Sequence, residues 1–131
     1  MFDRKKFITD SLKESSEIKL RVLESCFDDI MKASEMIVDT IKSGNKMMLC
    51  GNGGSAADSQ HLATEFMIRL SHDIKRKAIP AIALSTDSSN LTAGGNDIGF
   101  DNIFARNIEG IGRESDLLMG ISTSGNSKNI I

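Results

Sequence analysis

The sequence predicts an α/β fold built on a parallel sheet. Three short apolar runs have the length of strands: Met47-Met48-Leu49-Cys50, Pro80-Ala81-Ile82-Ala83-Leu84 and Leu117-Leu118-Met119-Gly120-Ile121. Helical patterns lie between them, and strands alternating with helices imply right-handed crossovers and parallel pairing. The first run is apolar without alternation, as expected of a strand covered on both faces.

The 131 residues carry 16 Lys+Arg against 18 Asp+Glu, a formal net charge of −2. With 40% hydrophobic and 26% charged residues, the chain has the composition of an ordinary globular protein with one core. The near-neutral balance argues against a nucleic-acid partner bound by phosphate neutralisation. No apolar run approaches the roughly 20 residues that cross a bilayer, so no membrane association is expected. Met1-Phe2-Asp3-Arg4-Lys5-Lys6 is not followed by a signal-peptide apolar stretch. Cys26 and Cys50 make no disulfide framework, which points to a reducing cytoplasm. Both fall on apolar faces and are expected in the core. Six Phe supply all the aromatics, too few for a stacking platform.

Residues 1–44 read as a helical N-terminal arm. Phe7, Ile8 and Leu12 mark an early stretch, with Glu14-Ser15-Ser16-Glu17 as a candidate break. Leu23, Cys26, Phe27, Ile30, Ala33, Ile37 and Ile41 then recur at helical spacing. Ser43-Gly44-Asn45 ends this helix, Gly44 suiting a left-handed C-terminal position. Two roles stay open for the arm: a contact with a partner subunit, or a cover for its own sheet.

Residues 45–131 read as the α/β domain. Gly51-Asn52-Gly53-Gly54-Ser55 follows the first strand and leads into a helix from about Ser55 to Leu70. Pro80 is tolerable at the first residue of the second strand. A short helix and a turn at Gly94-Gly95-Asn96-Asp97 come next. A helical pattern through Phe100, Ile103, Phe104 and Ile108 follows, closed by Gly110 and Gly112. The third strand runs into Ser122-Thr123-Ser124-Gly125-Asn126-Ser127. Ser127-Lys128-Asn129-Ile130-Ile131 looks like the first turn of a helix that stops before burying anything; either the chain is a fragment of a longer one, the favoured expectation, or its last turn is frayed and unimportant.

Ligands of open parallel sheets bind at the carboxyl ends of strands, near helix N-termini. Two of the three strand ends carry turns suited to anions. The glycines of the first let a ligand approach the backbone, and the following helix offers unpaired N–H groups. The second adds the hydroxyls of Ser122, Thr123, Ser124 and Ser127. Neither matches a nucleotide fingerprint, and a tight connection could use the same residues; their recurrence at two strand ends favours a small phosphorylated ligand. Ser55 and Asp58 have the spacing of a capping box. His61 and Glu65 sit four apart on one helix face, a spacing that suits a metal, a general base or a plain solvated pair. Asn96 and Asp97 could hold sugar hydroxyls or simply form a turn. His72, among Ser71, Asp73 and Lys75, reads as an exposed loop residue.

Together, Gly51-Asn52-Gly53-Gly54-Ser55, His61-x-x-x-Glu65, Ala81-Ile82-Ala83-Leu84, Gly95-Asn96-Asp97-x-Gly99-Phe100 and Gly120-Ile121-Ser122-Thr123-Ser124-Gly125-Asn126-Ser127 resemble the phosphoheptose isomerase family. This is the sedoheptulose 7-phosphate isomerase branch of the sugar isomerase (SIS) domains. The resemblance runs from about residue 20 to the end of the chain. It implies a flavodoxin-like αβα sandwich, assembled as a cytoplasmic homotetramer. It also implies conversion of sedoheptulose 7-phosphate to D-glycero-D-manno-heptose 7-phosphate, on the route to activated heptose for surface polysaccharides.

By the same resemblance, Ser122, Thr123, Ser124 and Ser127 bind the phosphate, while Asn52, Gly53, Gly54, Ser55, Asn96 and Asp97 contact the sugar. His61 and Glu65 ligate one zinc ion per active site, and Glu65 also shuttles the proton through an enediol. Arg69 matches an arginine near the family's active site, although Ile68 stands where the family carries glycine. In the family a glutamine and a histidine further along complete the zinc site, the histidine being the second catalytic group. Both would lie beyond Ile131, so the 131 residues alone are expected to be inactive. The rivals are non-catalytic SIS proteins: relatives that associate with a replication initiator, or modules that sense a sugar phosphate. Gly54 and Ser124 stand where the former tend to carry threonine and arginine, and a sensor needs neither His61 nor Glu65.

Overall fold

The computed structural model describes residues 2–131. They divide into two compact units, the first ending at Met36 and the second spanning Ile37–Ile131.

The first unit holds α1 (Arg4–Ser25) and the start of α2 (Phe27–Lys42). Asp3 caps α1, its carboxylate accepting from the Lys6 N–H at 3.0 Å. The helix passes unbroken through Glu14-Ser15-Ser16-Glu17; the interruption falls at Cys26 instead (φ −121°, ψ 3°). There the Ser25 hydroxyl donates back to the Arg21 carbonyl at 2.7 Å, a side-chain bond that competes with the helical ladder. The run Glu14–Glu17 contains no Gly or Pro and has no such effect. Cys26 is exposed, against the expectation of a core position, and no residue of α1 is buried.

In the second unit α2 ends at Lys42, with Gly44 at φ 81°. β1 (Met47–Gly51) is flanked by β2 (Ala81–Ala83) and β3 (Leu117–Ile121), all parallel, in the order β2-β1-β3. Every residue of β1 is buried. Its alternate side chains enter two clusters, as a period of two demands. Met48 and Cys50 pack with Leu84, Ile103 and Phe104 on one face. Met47 and Leu49 pack with Ala63 and Ala83 on the other, where Ile37, Ile41, Leu62 and Phe66 also contribute.

α3 (Gly54–Met67) therefore lies on the same face as the end of α2. α4 (Ser88–Asp97), a 3-10 turn (Phe100–Asn102) and α5 (Ile103–Ile111) serve the opposite face. Helices on both faces of a parallel sheet make the expected αβα sandwich.

Three local expectations are corrected. α3 stops at Met67 rather than near Leu70, and Ile68 and Leu70 are exposed. Gly94-Gly95-Asn96-Asp97 is not a turn but the last part of α4. Asp87 starts that helix by accepting from the Asn90 N–H at 3.0 Å, and Gly99, at φ 85°, follows its end. Gly94 serves close packing: a Cβ there would stand 3.1 Å from Ile103 Cγ1. Finally, the Ser127–Ile131 turn does bury side chains. Asn129 is 9% exposed and Ile130 joins the β1 cluster. The Ile130 N–H donates to the Ser127 carbonyl at 2.8 Å.

At the amino ends of the strands Asp116 ties β3 to β1. Its carboxylate accepts from the Lys46 backbone N–H at 2.9 Å and the Arg113 N–H at 2.7 Å, and it pairs with Lys46 Nζ. These bonds hold its pKa down at about 2.

Candidate functional site

The strand order decides where a ligand can sit. The chain leaves β1 towards β2 on one side and returns to β3 on the other, so the connections diverge at the carboxyl ends of β1 and β3. That divergence opens the crevice in which doubly wound sheets bind ligands. The glycine turn follows β1 and the hydroxyl turn follows β3, so both predicted anion loops flank this point.

The glycine loop is shaped by backbone contact. A Cβ on Gly51 would fall 2.5 Å from the Ser55 carbonyl oxygen, so only glycine allows the chain to fold back onto α3. Gly53 sits at φ 54° and precedes the first helical residue, Gly54; both are exposed, with open space beside them. The Asn52 carbonyl accepts from the Ser55 N–H at 3.0 Å. Ser55 is buried at the second helical position, and its carbonyl accepts from the Ser59 hydroxyl at 2.8 Å. The capping box is not formed: the N-cap is Gly53, which has no side chain to bond with. Asp58 is exposed.

The hydroxyl loop braces itself. Ser122 Oγ lies 3.4 Å from Ser124 Oγ and 3.2 Å from Ser127 Oγ, and accepts from the Gly125 N–H at 3.1 Å. Ser124 Oγ accepts from the Asn126 N–H at 3.2 Å, and the Asn126 amide donates to the Ser124 carbonyl at 2.9 Å. Three of the four hydroxyls thus converge, while Thr123 is exposed beside them. One pair of side chains joins the two loops. Asn52 Nδ2 donates to Asn129 Oδ1 at 2.8 Å, and Asn129 Nδ2 donates to Asn52 Oδ1 at 2.9 Å.

His61 and Glu65 project from α3 two to three turns beyond the glycine loop. Nε2 and Oε1 stand 3.7 Å apart, with His61 exposed and Glu65 half-buried. Glu65 Oε2 is buried and has no hydrogen-bond partner. An unsolvated carboxylate oxygen without a donor is costly, and a ligand at that atom would relieve it. An imidazole nitrogen and a carboxylate oxygen are also the donor types of a zinc site. The pair therefore fits two of its positions. Among the described residues no group of three or more His, Cys, Asp or Glu is assembled to complete one.

The remaining sequence candidates lie at the surface. Arg69 is exposed beyond the end of α3, and His72 is exposed as expected. Asn96 and Asp97 are exposed at the end of α4, where Asn96 Nδ2 donates to Asp97 Oδ1 at 2.7 Å. Among the described residues no hydrogen bond joins them to either loop.

Sequence reading missed two residues. Asn129 was hidden in what looked like a fraying turn, though the neighbouring Ile130 signalled an anchored one. Arg76 was one cation among several in a polar stretch. Its Nη1 donates to the Phe66 carbonyl at 2.7 Å and its Nη2 donates to the Glu65 carbonyl, so it closes the C-terminus of α3.

The SIS domain family matches residues 12–131. The chain is 52% identical over 124 residues to a phosphoheptose isomerase of Pelodictyon phaeoclathratiforme, covering 95% of this chain and 59% of that protein. It is 53% identical over 111 residues to a phosphoheptose isomerase of Akkermansia muciniphila, covering 85% and 58%. Two solved structures of phosphoheptose isomerases are similar. One, from Neisseria gonorrhoeae, has a TM-score of 0.87 at 37% identity over 98% of this chain and 65% of that one. The other, from Francisella tularensis, has a TM-score of 0.91 at 32% identity over 98% and 66%. The chain spans less than two thirds of the length of these relatives. With the family matched across residues 12–131 and its loops at the β1 and β3 ends, this chain belongs to the SIS domain family.

Proposed function

We propose that the protein is an aldose–ketose isomerase converting sedoheptulose 7-phosphate to D-glycero-D-manno-heptose 7-phosphate, for activated heptose synthesis. The observation that carries this reading is the meeting of the glycine and hydroxyl loops at the β1/β3 crevice, with His61 and Glu65 on the helix that the glycine loop opens. Relatives and structures named phosphoheptose isomerase support it.

In this reading Ser122, Thr123, Ser124 and Ser127 donate hydroxyl protons to the phosphate oxygens. Gly53 and Gly54 let the sugar lie against bare backbone, and Asn52, Ser55, Arg69, Asn96 and Asp97 are the remaining candidate contacts. The Glu65 carboxylate takes a proton from C1 of the ketose, leaving an enediolate across C1 and C2, and returns it at C2 while the hydroxyl proton of O1 passes to O2, which gives the aldose. His61 Nε2 and Glu65 would hold one zinc ion, which when bound polarises the sugar oxygens. Two further donors are needed to close its tetrahedron.

The reading also assigns the arm, residues 1–44, to contacts between copies in a homotetramer, apart from Ile37 and Ile41, which pack on the chain's own sheet. The exposed Phe7, Leu12, Leu20, Leu23 and Phe27 support that use. Among the described residues no helix is long and apolar enough to cross a membrane, in keeping with the proposed cytoplasmic location.

The test is an NMR time course of sedoheptulose 7-phosphate with zinc and the whole protein at its natural length. New aldose signals growing in with enzyme concentration are expected. An unchanged ketose spectrum would refute the isomerase.

A further inference from the structure

We propose that Asn129 is a positioning residue that sets the glycine loop against the hydroxyl loop, and thereby makes the site select a sugar phosphate over bare phosphate. The inference rests on the sugar-phosphate reading above and deepens it.

The two loops differ in how they are held. The hydroxyl loop carries its own hydrogen bonds among Ser122, Ser124, Gly125, Asn126 and Ser127. Its far end is anchored by Ile130, which packs so tightly on β3 that a Cβ at Gly120 would stand 2.8 Å from Ile130 Cγ2. The glycine loop is held to α3 by backbone bonds, the Asn52 and Gly53 carbonyls accepting from the N–H groups of Ser55, Ala56 and Ala57, and has no side-chain brace within itself. Gly53 and Gly54 carry no side chains and have open space around them. Among the described residues, the Asn52 amide bonded to Asn129 is the one side-chain tie from this loop to the other.

The pairing is also specific. Each amide donates once and accepts once, and Asn129 is 9% exposed, so water competes poorly for these bonds. A group that touches both loops depends on their spacing, whereas an anion held by the hydroxyl loop alone does not.

The experiment compares two probes, sedoheptulose 7-phosphate and inorganic phosphate, by NMR titration of the unaltered protein and of Asn129→Ala and Asn129→Leu. The leucine variant keeps the side-chain volume where the alanine variant opens a gap. Both variants are expected to bind the sugar phosphate roughly tenfold more weakly, the effect of losing two neutral hydrogen bonds. Their affinity for inorganic phosphate should stay within about twofold, because the hydroxyl loop braces itself.

Equal weakening of both probes would show general loosening and overturn the proposal, as would unchanged affinity for both. Failure of the unaltered protein to bind the sugar phosphate would overturn the functional reading and this inference with it. Binding by the unaltered protein with no loss of selectivity in either variant would overturn the inference alone.

Discussion

In the proposed reaction Glu65 is both a zinc ligand and the proton carrier. Its Oε1 faces His61 Nε2 at 3.7 Å, while Oε2 is buried without a donor. A donor or a ligand at Oε2 would relieve the cost of leaving that oxygen unpaired. Glu65→Gln keeps the shape and removes the base. Turnover by the whole protein should fall by a factor of about 100 or more, with sedoheptulose 7-phosphate still bound. Steady-state kinetics beside a binding titration checks both halves. Full turnover in the variant would remove Glu65 from the reaction; a ligand response without turnover in the unaltered protein would favour a sensor.

The element that presents Glu65 depends on a residue outside it. α3 begins at a bare glycine and ends under the Arg76 guanidinium, which holds the carbonyls of Glu65 and Phe66. Arg76→Ala should cost about 1.5–3 kcal/mol, the range for hydrogen bonds to a charged group. Arg76→Lys should recover only part, because a single ammonium cannot reproduce the planar fork. Urea unfolding of the three proteins measures this, and equal midpoints would mean that Arg76 holds nothing.

This contact also marks how far the sequence could be read. β1, β3 and the two loops were legible because apolar runs and glycine or hydroxyl clusters are local signals. The end of α3 was not, because its closure comes from ten residues further along the chain. The helical state of Gly94–Asp97 was concealed by residues that favour turns, outweighed by the Asp87 cap and by Ile103 packing on Gly94. Asn129 was illegible for a similar reason: its partner, Asn52, is 77 residues away in the chain.

At the scale of the whole α/β unit, the sheet is pinned at one end and opened at the other. Asp116 binds Lys46 and the Arg113 N–H at the amino ends of β1 and β3, and the candidate site lies at their carboxyl ends. Because folding lowers the Asp116 pKa from 3.8 to about 2, the unfolded chain binds its proton more readily. The stabilisation from this carboxylate is present above about pH 4 and is lost as the pH falls towards 2. Urea midpoints measured across that window should decline, and Asp116→Asn, less stable at neutral pH, should show a shallower decline. Parallel pH profiles would contradict the assignment.

In the proposed site both loops serve one ligand. The most direct measurement is a nitrogen–proton correlation spectrum of the labelled protein during titration with sedoheptulose 7-phosphate. The amides of Gly53, Gly54 and Ser55 and those of Ser122–Ser127 are expected to shift together along one binding curve. Shifts confined to one loop, or two curves with different midpoints, would contradict it.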